Sequence, residues 1–241
     1  MDAERYDRTR PSYPAVLVER IVAASPGRNV LDVGSGTGIS ARQFQAAGCR
    51  VLGVDPDQRM AELARQSGVE SEVSTFEEWD PAGRTFDAVV AGQAWHWVDP
   101  VAGANKAAQV LRPGGRLTVF WNVGDPQAEL ADAFSAVYAR VMPEMPAYRA
   151  SDGYSAILAK VADRIREAGA FSEPEQWRFD WERAYERDEW LDQLPTQGFH
   201  TRLPQAKLRE ILEGVGAAID AAGGSFTMHY TAVVVTATRT D

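Results

Sequence analysis

The fold class can be read from ten residues, Val30-Leu31-Asp32-Val33-Gly34-Ser35-Gly36-Thr37-Gly38-Ile39. The apolar first half is typical of a buried parallel strand, and a helical pattern begins at about residue 38. Three glycines at alternate positions permit positive φ and let a ligand approach the main chain. The helix that follows would direct its first N–H groups at that ligand. The stretch therefore predicts a nucleotide cradle at the end of the first strand.

The spacing of the glycines bears on which nucleotide is bound. A dinucleotide fingerprint has glycine at its first, third and sixth positions. Counted from Gly34, the third position is Gly36 but the sixth is Ile39, and Gly38 comes one residue early. The second predicted strand ends in Asp55, an acid placed to accept hydrogen bonds from both hydroxyls of a ribose. Asp55 alone fits any adenosine cofactor, NAD included.

Two motifs together carry a family resemblance. Residues 31–38, Leu-Asp-Val-Gly-Ser-Gly-Thr-Gly, followed by Val54 and Asp55, resemble the first two motifs of class I S-adenosylmethionine-dependent methyltransferases. The order and separation of the motifs are more specific than either motif alone. The resemblance implies S-adenosyl-L-methionine as cofactor. It implies that Asp32 contacts the methionine amino group, with a loop cap as the alternative role of Asp32. It also implies that Asp55 binds the ribose and that Pro56 lies beside the adenine. The cradle itself would consist of Gly34, Ser35, Gly36 and Gly38.

The third predicted strand ends less regularly. Relatives in this family often carry Gly-Asp-Ala there, with the aspartate accepting from the adenine amino group. Here Thr75 stands in the place of the aspartate, which weakens that side-chain contact. The backbone N–H of Phe76 would still bind the adenine, and the alternative is that Phe76 is a core residue.

The fourth strand end carries Gln93-Ala94-Trp95-His96-Trp97. This run resembles the small-molecule, type 11-like subset of the family, akin to trans-aconitate and juvenile hormone acid methyltransferases, and implies cofactor contacts from Gln93 and Ala94. Trp95 would stabilise a sulfonium by a cation–π contact or form an apolar wall, and Trp97 would contact substrate. His96 is the candidate general base, with packing as its alternative. The run lacks the Asn/Asp-Pro-Pro-Tyr/Phe of nucleic-acid amino methyltransferases.

The N-terminal segment from Tyr6 to Pro14 resembles a segment of the same subset that folds over the cofactor. We expect Tyr6 and Tyr13 to close the methionine end and Arg10 to contact a carboxylate of the substrate. A solvated arm is the alternative. Pro14 suits the first turn of a helix that ends near Ala24, with Ser12 or Tyr13 as its cap.

Hydrophobic periodicity predicts an α/β fold. Strands are expected near residues 29–33, 50–54, 69–73, 86–90 and 116–121, and helices near 38–47, 57–66 and 100–110. Such alternation indicates a doubly wound, Rossmann-like sheet with helices on both faces. Later helices are expected at 126–141, 154–168 and 205–222, with two late strands near 175–181 and 225–235. The resemblance implies seven strands, mostly parallel, with an antiparallel last strand.

We expect one methyltransferase domain over residues 1–241, with its cofactor-binding core at 26–125. Residues 1–25, 122–170 and 186–224 are the predicted helical lid over the acceptor.

Composition limits the partners. The chain has 241 residues and a formal net charge of −9, and its basic residues form no block, so we expect no nucleic-acid partner. No metal site is predicted. The single cysteine, Cys49, is expected in the core, and no apolar run is long enough to span a membrane. A charged N-terminus unlike a signal peptide favours the cytoplasm. The sequence does not indicate an oligomeric state.

Taken together, these features predict methyl transfer from S-adenosylmethionine to a small-molecule acceptor by in-line displacement. Two alternatives stay open: an NAD-dependent oxidoreductase, which Ile39 disfavours, and a non-catalytic regulatory module that binds S-adenosylmethionine.

Overall fold

The computed structural model describes residues 2–144 and 150–240, and this part of the chain forms two compact units. The core unit comprises Ser12–Asn122, Ser155–Phe179 and Ala232–Asp241, and the accessory unit comprises Met1–Pro11, Val123–Tyr154 and Asp180–Thr231.

The core unit is built on a sheet whose first strands are nearly all apolar. The strands are β1 (Asn29–Val33), β2 (Arg50–Asp55), β3 (Glu70–Val73), β4 (Phe86–Gly92), β5 (Leu111–Pro126), β6 (Glu175–Glu186) and β7 (Ser225–Thr238). Their order is β3-β2-β1-β4-β5-β7-β6. The pairs β1–β2, β1–β4, β2–β3 and β4–β5 are parallel, and Leu31 lies opposite Leu52 on one side and Val89 on the other. Such strands are buried on both faces, which explains their continuous apolar runs.

Strand β7 runs against its neighbour. The N–H of Arg239 donates to the carbonyl of Gly115 (2.7 Å), and the hydroxyls of Thr118 and Thr236 lie 2.8 Å apart. Between these two contacts the residue numbers rise along β5 and fall along the segment that contains β7, so β7 is antiparallel to β5. The predicted seven-stranded sheet, mostly parallel with an antiparallel last strand, is therefore confirmed.

Helices of the core unit follow the predicted positions closely. They are α2 (Ala15–Ala24), α3 (Ile39–Ala46), α4 (Gln58–Gln66), α5 (Pro100–Val110) and most of α7 (Ala150–Glu167). The predicted cap of α2 is wrong. Pro14 itself is the N-cap, with no side-chain cap bond, while the N–H of Tyr13 donates to Gln43 Oε1 (3.0 Å).

The accessory unit has its own apolar core. It contains α1 (Ala3–Thr9), α6 (Ala128–Val141), α8 (Arg187–Gln193), α9 (Gln205–Ala221) and the adjoining ends of β5, β6 and β7. Ile211, Val215 and Ile219 of α9 are at most 1% exposed, as the periodicity predicts for a core stripe. Burial of each such side chain contributes about 1.5–3 kcal/mol to stability.

The predicted lid segments divide between the units. Residues 1–11, 123–154 and 186–224 belong to the accessory unit, whereas residues 12–25, 122 and 155–170 belong to the core unit. Residues 145–149, inside one predicted lid segment, lie outside the described part of the chain. A lid over the acceptor, like the single domain and its 26–125 core, stays a prediction.

Within residues 2–144 and 150–240, no helix is both long and apolar enough to cross a membrane.

Candidate functional site

The loop between β1 and α3 takes its shape from glycines that no other residue could replace without strain. Gly34, Gly36 and Gly38 have φ of +64°, +54° and +87°. A Cβ on Gly34 would lie 2.4 Å from Cβ of Ala94. A Cβ on Gly36 would meet nothing within 4 Å, so its φ is the constraint there. Gly38 is the N-cap of α3. The helix therefore begins at the loop, and its first N–H groups are directed toward the loop.

Asp55 holds this loop on the second strand. Its Oδ2 accepts from the N–H of Gly36 (2.8 Å), and its Oδ1 accepts from the N–H of Asp57 (2.9 Å). The side chain is buried, and burial raises the pKa of this carboxyl above its usual value. Each oxygen has two lone pairs, so each can still accept one hydroxyl. Asp55 is therefore both a loop anchor and an acceptor for the two hydroxyls of a ribose.

Asp32 lies deeper than Asp55. It is fully buried, and its Oδ2 accepts from the hydroxyl of Ser40 in α3 (2.6 Å). Burial, and to a smaller extent the nearby charge of Asp55, raise the pKa of Asp32 to about 7, although the hydrogen bond from Ser40 acts in the opposite direction. Its Oδ1 has no hydrogen-bond partner in the described part of the chain. The bond to Ser40 fits the loop-cap role, and the remaining oxygen is available to a donor.

Several buried polar atoms around the loop lack partners in the described part of the chain. They are Oδ1 of Asp32, Oγ of Ser35, Oγ1 of Thr37, Oγ of Ser71 and Nε1 of Trp95. Native proteins rarely leave such atoms unsatisfied, so a group of them indicates a bound polar molecule or ordered water. Ser35 is wedged against β2, where a Cβ on Gly53 would lie 2.5 Å from its Oγ.

The fourth strand end is held by amide contacts. Gln93 has a φ of +56°, uncommon for a residue other than glycine. Its N–H donates to the carbonyl of Phe120 (2.8 Å), and its Nε2 donates to the carbonyl of Asn122 (3.1 Å). Asn122 in turn donates to the carbonyl of Ser12 (3.1 Å). These bonds fix Gln93 in a strained conformation, a feature that concentrates at functional sites.

The two tryptophans of this run have different environments. Trp95 is 2% exposed and lies near Phe76 (ring centroids 6.3 Å apart) and beneath Gly103, whereas Trp97 is 64% exposed. Of the two predicted roles for Trp95, the apolar wall agrees with this burial. Phe76 is buried beside it, as its alternative core role requires.

His96 makes a specific contact through one ring nitrogen. Nε1 of Trp121 donates to Nδ1 of His96 (3.3 Å). Partial burial lowers the pKa of His96, so the ring is neutral at pH 7. Since Nδ1 accepts the indole hydrogen, the ring proton is on Nε2. In this tautomer Nε2 donates a hydrogen bond and has no lone pair for a proton.

The remaining predicted cofactor residues lie as follows. Pro56 is exposed, and Oγ1 of Thr75 accepts from the N–H of Glu78 (3.4 Å), a contact within its own turn. Tyr13 is buried edge-on to Phe120, with ring centroids 4.6 Å apart.

Two predicted residues, Tyr6 and Arg10, belong to the accessory unit. The guanidinium of Arg10 lies 4.9 Å from the ring centroid of Tyr6, and its Nη2 donates to the carbonyl of Thr196 (2.8 Å). Their predicted contacts with ligand stay predictions.

Sequence reasoning missed Ser40, Trp121 and Asn122. Ser40 follows the glycine loop in the first turn of α3 and could have been found from that position. No local pattern marks Trp121 or Asn122, because their partners lie far away in sequence. In the described part of the chain, no group of histidine, cysteine, aspartate and glutamate is arranged to hold a metal ion.

Comparison with known proteins agrees with this geometry. A family model described as a methyltransferase domain matches residues 31–119. An uncharacterised methyltransferase of Mycobacterium tuberculosis is 40% identical over 122 residues, 50% of this chain and 50% of that protein. A demethylmenaquinone methyltransferase of Tropheryma whipplei is 30% identical over 162 residues, 62% of this chain and 67% of that protein. The chain thus spans about half the length of the mycobacterial relative.

The fold has a solved counterpart. The structure of a type II methyltransferase from Anaeromyxobacter dehalogenans superimposes with a TM-score of 0.68 at 23% identity, covering 94% of this chain and 97% of that one. At this identity the likeness shows the fold alone. The narrower resemblance to trans-aconitate and juvenile hormone acid methyltransferases stays a prediction.

Replacing Gly34 by alanine should destabilise the protein more than the same change at Gly48. Both have positive φ, +64° and +83°, but a Cβ on Gly48 would meet nothing within 4 Å. The φ strain costs about 1–3 kcal/mol in both variants, and the clash with Ala94 adds about 1–3 kcal/mol to Gly34→Ala alone. Urea denaturation measures the difference, and equal losses would show that Ala94 moves aside freely.

The raised pKa of Asp32 predicts a pH dependence of stability. Between its usual value of 3.8 and about 7, the folded protein holds a proton that the unfolded chain has released. Stability from this group is therefore greatest at low pH and falls by about 2–4 kcal/mol as the pH rises to 7. Denaturation of the ligand-free protein at about pH 5 and about pH 7.5 should show this fall relative to Asp32→Asn. An equal change in the free energy of unfolding between the two pH values in both proteins would contradict this prediction.

Proposed function

The chain belongs to the class I S-adenosylmethionine-dependent methyltransferase family, and on that premise we propose that it transfers a methyl group to a small-molecule acceptor by in-line displacement. The single observation that carries the proposal is the joint between loop and strand, where Gly36 donates to Asp55 at the carboxyl end of β2. It places a buried carboxylate beside a glycine loop and a helix N-terminus. The name of the Tropheryma whipplei relative describes methylation of a small molecule, demethylmenaquinone, which supports the acceptor class.

The residues present fit S-adenosylmethionine. Oδ1 and Oδ2 of Asp55 each retain a lone pair for a ribose hydroxyl, and Gly36 leaves open space above its Cα. Oδ1 of Asp32 is buried without a partner in the described part of the chain and suits the methionine ammonium. Gly34, Ser35, Gly38, Gln93 and Ala94 would line the remaining surface, with Pro56, Thr75 and Phe76 toward the adenine and Tyr13 toward the methionine.

When bound, the cofactor supplies a methyl group on a positively charged sulfur, which an electron-rich acceptor atom can displace. The chain's own residues act by alignment and by exclusion of water. Trp95 provides an apolar wall, because its indole is buried against Phe76 and Gly103. Trp97, which is mostly exposed, is the proposed contact for the acceptor.

His96 acts in this proposal as a hydrogen-bond donor rather than a base. Its Nδ1 already accepts from Trp121, and its proton is on Nε2. That arrangement orients the ring and leaves the N–H on Nε2 as its hydrogen-bond donor. A carboxylate acceptor, which needs no proton removal, would be compatible with it.

An NAD-dependent oxidoreductase is the alternative enzyme class. Ile39 occupies the position of the third fingerprint glycine and is the first residue of α3. A Cβ there removes the close helix–strand approach on which a dinucleotide fingerprint depends. A regulatory module that binds S-adenosylmethionine without catalysis would share every cofactor contact and differ only in lacking turnover.

A cytoplasmic location is part of the proposal. The single cysteine, Cys49, is buried and free, which suits a reducing compartment. The net charge of −9 favours a small molecule over nucleic acid.

Titration calorimetry tests the cofactor. We expect S-adenosylmethionine and S-adenosylhomocysteine to bind and NADH not to bind. Asp55→Ala should weaken both sulfur ligands by more than about tenfold, because hydrogen bonds to a charged group are worth about 1.5–3 kcal/mol.

Asp57→Asn is the matched control for Asp55. Asp57 caps α4 and is two residues away, and asparagine can keep that cap. It should bind S-adenosylhomocysteine as the wild type does. Binding of NADH alone would end the proposal, and equal affinity in Asp55→Ala would remove Asp55 from the site.

His96→Gln should keep more than about a tenth of the methyl-transfer rate, because glutamine also offers an N–H donor. Loss of a general base would instead lower the rate by about 10²–10⁴. The assay follows a radiolabelled methyl group from S-adenosylmethionine into pooled metabolites. A hundredfold fall with stable folding would restore His96 as the base, and no transfer by wild type would favour the regulatory module.

A further inference from the structure

The accessory unit contains a buried histidine that the proposed mechanism does not use. His200 lies in a short 3-10 turn, is 4% exposed, and contacts the hydroxyl of Tyr138 through Nε2 (2.7 Å). Its other ring nitrogen, Nδ1, is buried with no hydrogen-bond partner in the described residues. Burial, and secondly the charge of Arg10, lower the pKa of His200 to about 4, so its ring is neutral at pH 7.

Arg10 is incompletely satisfied in the same part of the molecule. One nitrogen, Nη2, donates to the carbonyl of Thr196, but Nε is buried with no partner among the described residues. Arg5 and Arg8, in the helix that precedes Arg10, both pair with Asp192. In the described part of this chain, no ion pair involves Arg10. The cation is thus held in place without a counter-ion in a protein whose net charge is −9.

The Tyr138 contact indicates which ring nitrogen of His200 carries the proton. A phenol is a better hydrogen-bond donor than a neutral imidazole N–H, so the hydroxyl of Tyr138 donates to Nε2. Nδ1 then carries the hydrogen and is a donor. Arg10 Nε–H and His200 Nδ1–H are therefore two buried donors without an acceptor among the described residues. The carbonyl of Thr196, which accepts from Arg10, is four residues before His200 in the chain.

We propose that Arg10 and His200 bind a small organic carboxylate within the accessory unit, with Tyr138 as the positioning residue that holds the imidazole tautomer. Two N–H donors, one on a guanidinium, match an oxyanion and offer nothing to an ammonium group. The rings of Tyr6 and Phe199 lie beside Arg10 and His200 and give the acid an aromatic border. This inference goes beyond the proposed function, because it adds a carboxylate site within the accessory unit itself.

Binding of a carboxylate can be detected in the ¹⁵N signals of the His200 imidazole. The chain has three histidines, so ¹⁵N-detected imidazole spectra of the whole protein are simple enough to assign by substitution. We expect His200 to be neutral and protonated on Nδ1. Benzoate should shift that signal, whereas benzamide, its neutral analogue, should not.

Two substitutions of His200 distinguish the roles of its two ring nitrogens. The amide nitrogen of asparagine can take the place of Nδ1, and that of glutamine the place of Nε2. His200→Asn should therefore keep benzoate binding in calorimetry, while His200→Gln and Arg10→Gln should weaken it about tenfold or more. Arg8→Gln, the same charge change at an exposed arginine, should bind benzoate as wild type does. Tyr138→Phe should weaken binding and populate the other tautomer, which a merely structural hydroxyl would not do.

S-adenosylhomocysteine separates this inference from the proposed function. If it binds to wild type but benzoate leaves His200 unshifted, the acid site is wrong and the cofactor assignment stands. If S-adenosylhomocysteine does not bind at all, the proposed function fails, and the benzoate titration still tests the carboxylate site. Should Arg10→Gln weaken S-adenosylhomocysteine as much as benzoate, the carboxylate is the cofactor's own and the inference of a separate carboxylate site is overturned. If a His200 variant does not fold, Arg10→Gln against Arg8→Gln still decides the outcome.

Discussion

The hydrogen bond from the N–H of Gly36 to the carboxylate of Asp55 is the constraint on which the candidate site depends. It joins the loop after β1 to the end of β2, and the N–H of Gly34 adds a second tie to the carbonyl of Val54 (2.8 Å). Both donor residues have positive φ, which glycine adopts without strain. Because the cradle is held by the protein itself, a ligand meets it already formed and loses less entropy on binding.

The same region contains buried polar groups that lower the stability of the protein and can bind a ligand. Asp32 is buried with one unpartnered oxygen, and its raised pKa records the free energy lost when a carboxylate leaves water. Several hydroxyls around the loop are buried without partners in the described residues. A core optimised for stability alone would contain apolar groups there. The polar surface is best explained as the complement of a polar molecule.

The fourth strand end and the accessory unit show how partners distant in sequence give residues their roles. Trp121 holds His96 in one tautomer, and Tyr138 does the same for His200. In both cases a neutral imidazole is oriented through one nitrogen and presents the other. A neutral, oriented imidazole recognises a ligand by hydrogen bonding, and recognition is what a displacement on carbon requires of an enzyme that need not remove a proton.

The sequence by itself determined the order of elements, the glycine loop, the acid at the end of β2 and the methyltransferase resemblance. These depend on local periodicity, backbone freedom and spacing, which a linear chain displays directly. Only the tertiary structure decided that Trp95 is buried while Trp97 is exposed, although they are two residues apart. It also decided that His200 meets Tyr138 and that Pro14 caps α2. Burial and hydrogen-bond partners depend on which distant segments pack together, and no local pattern records that choice.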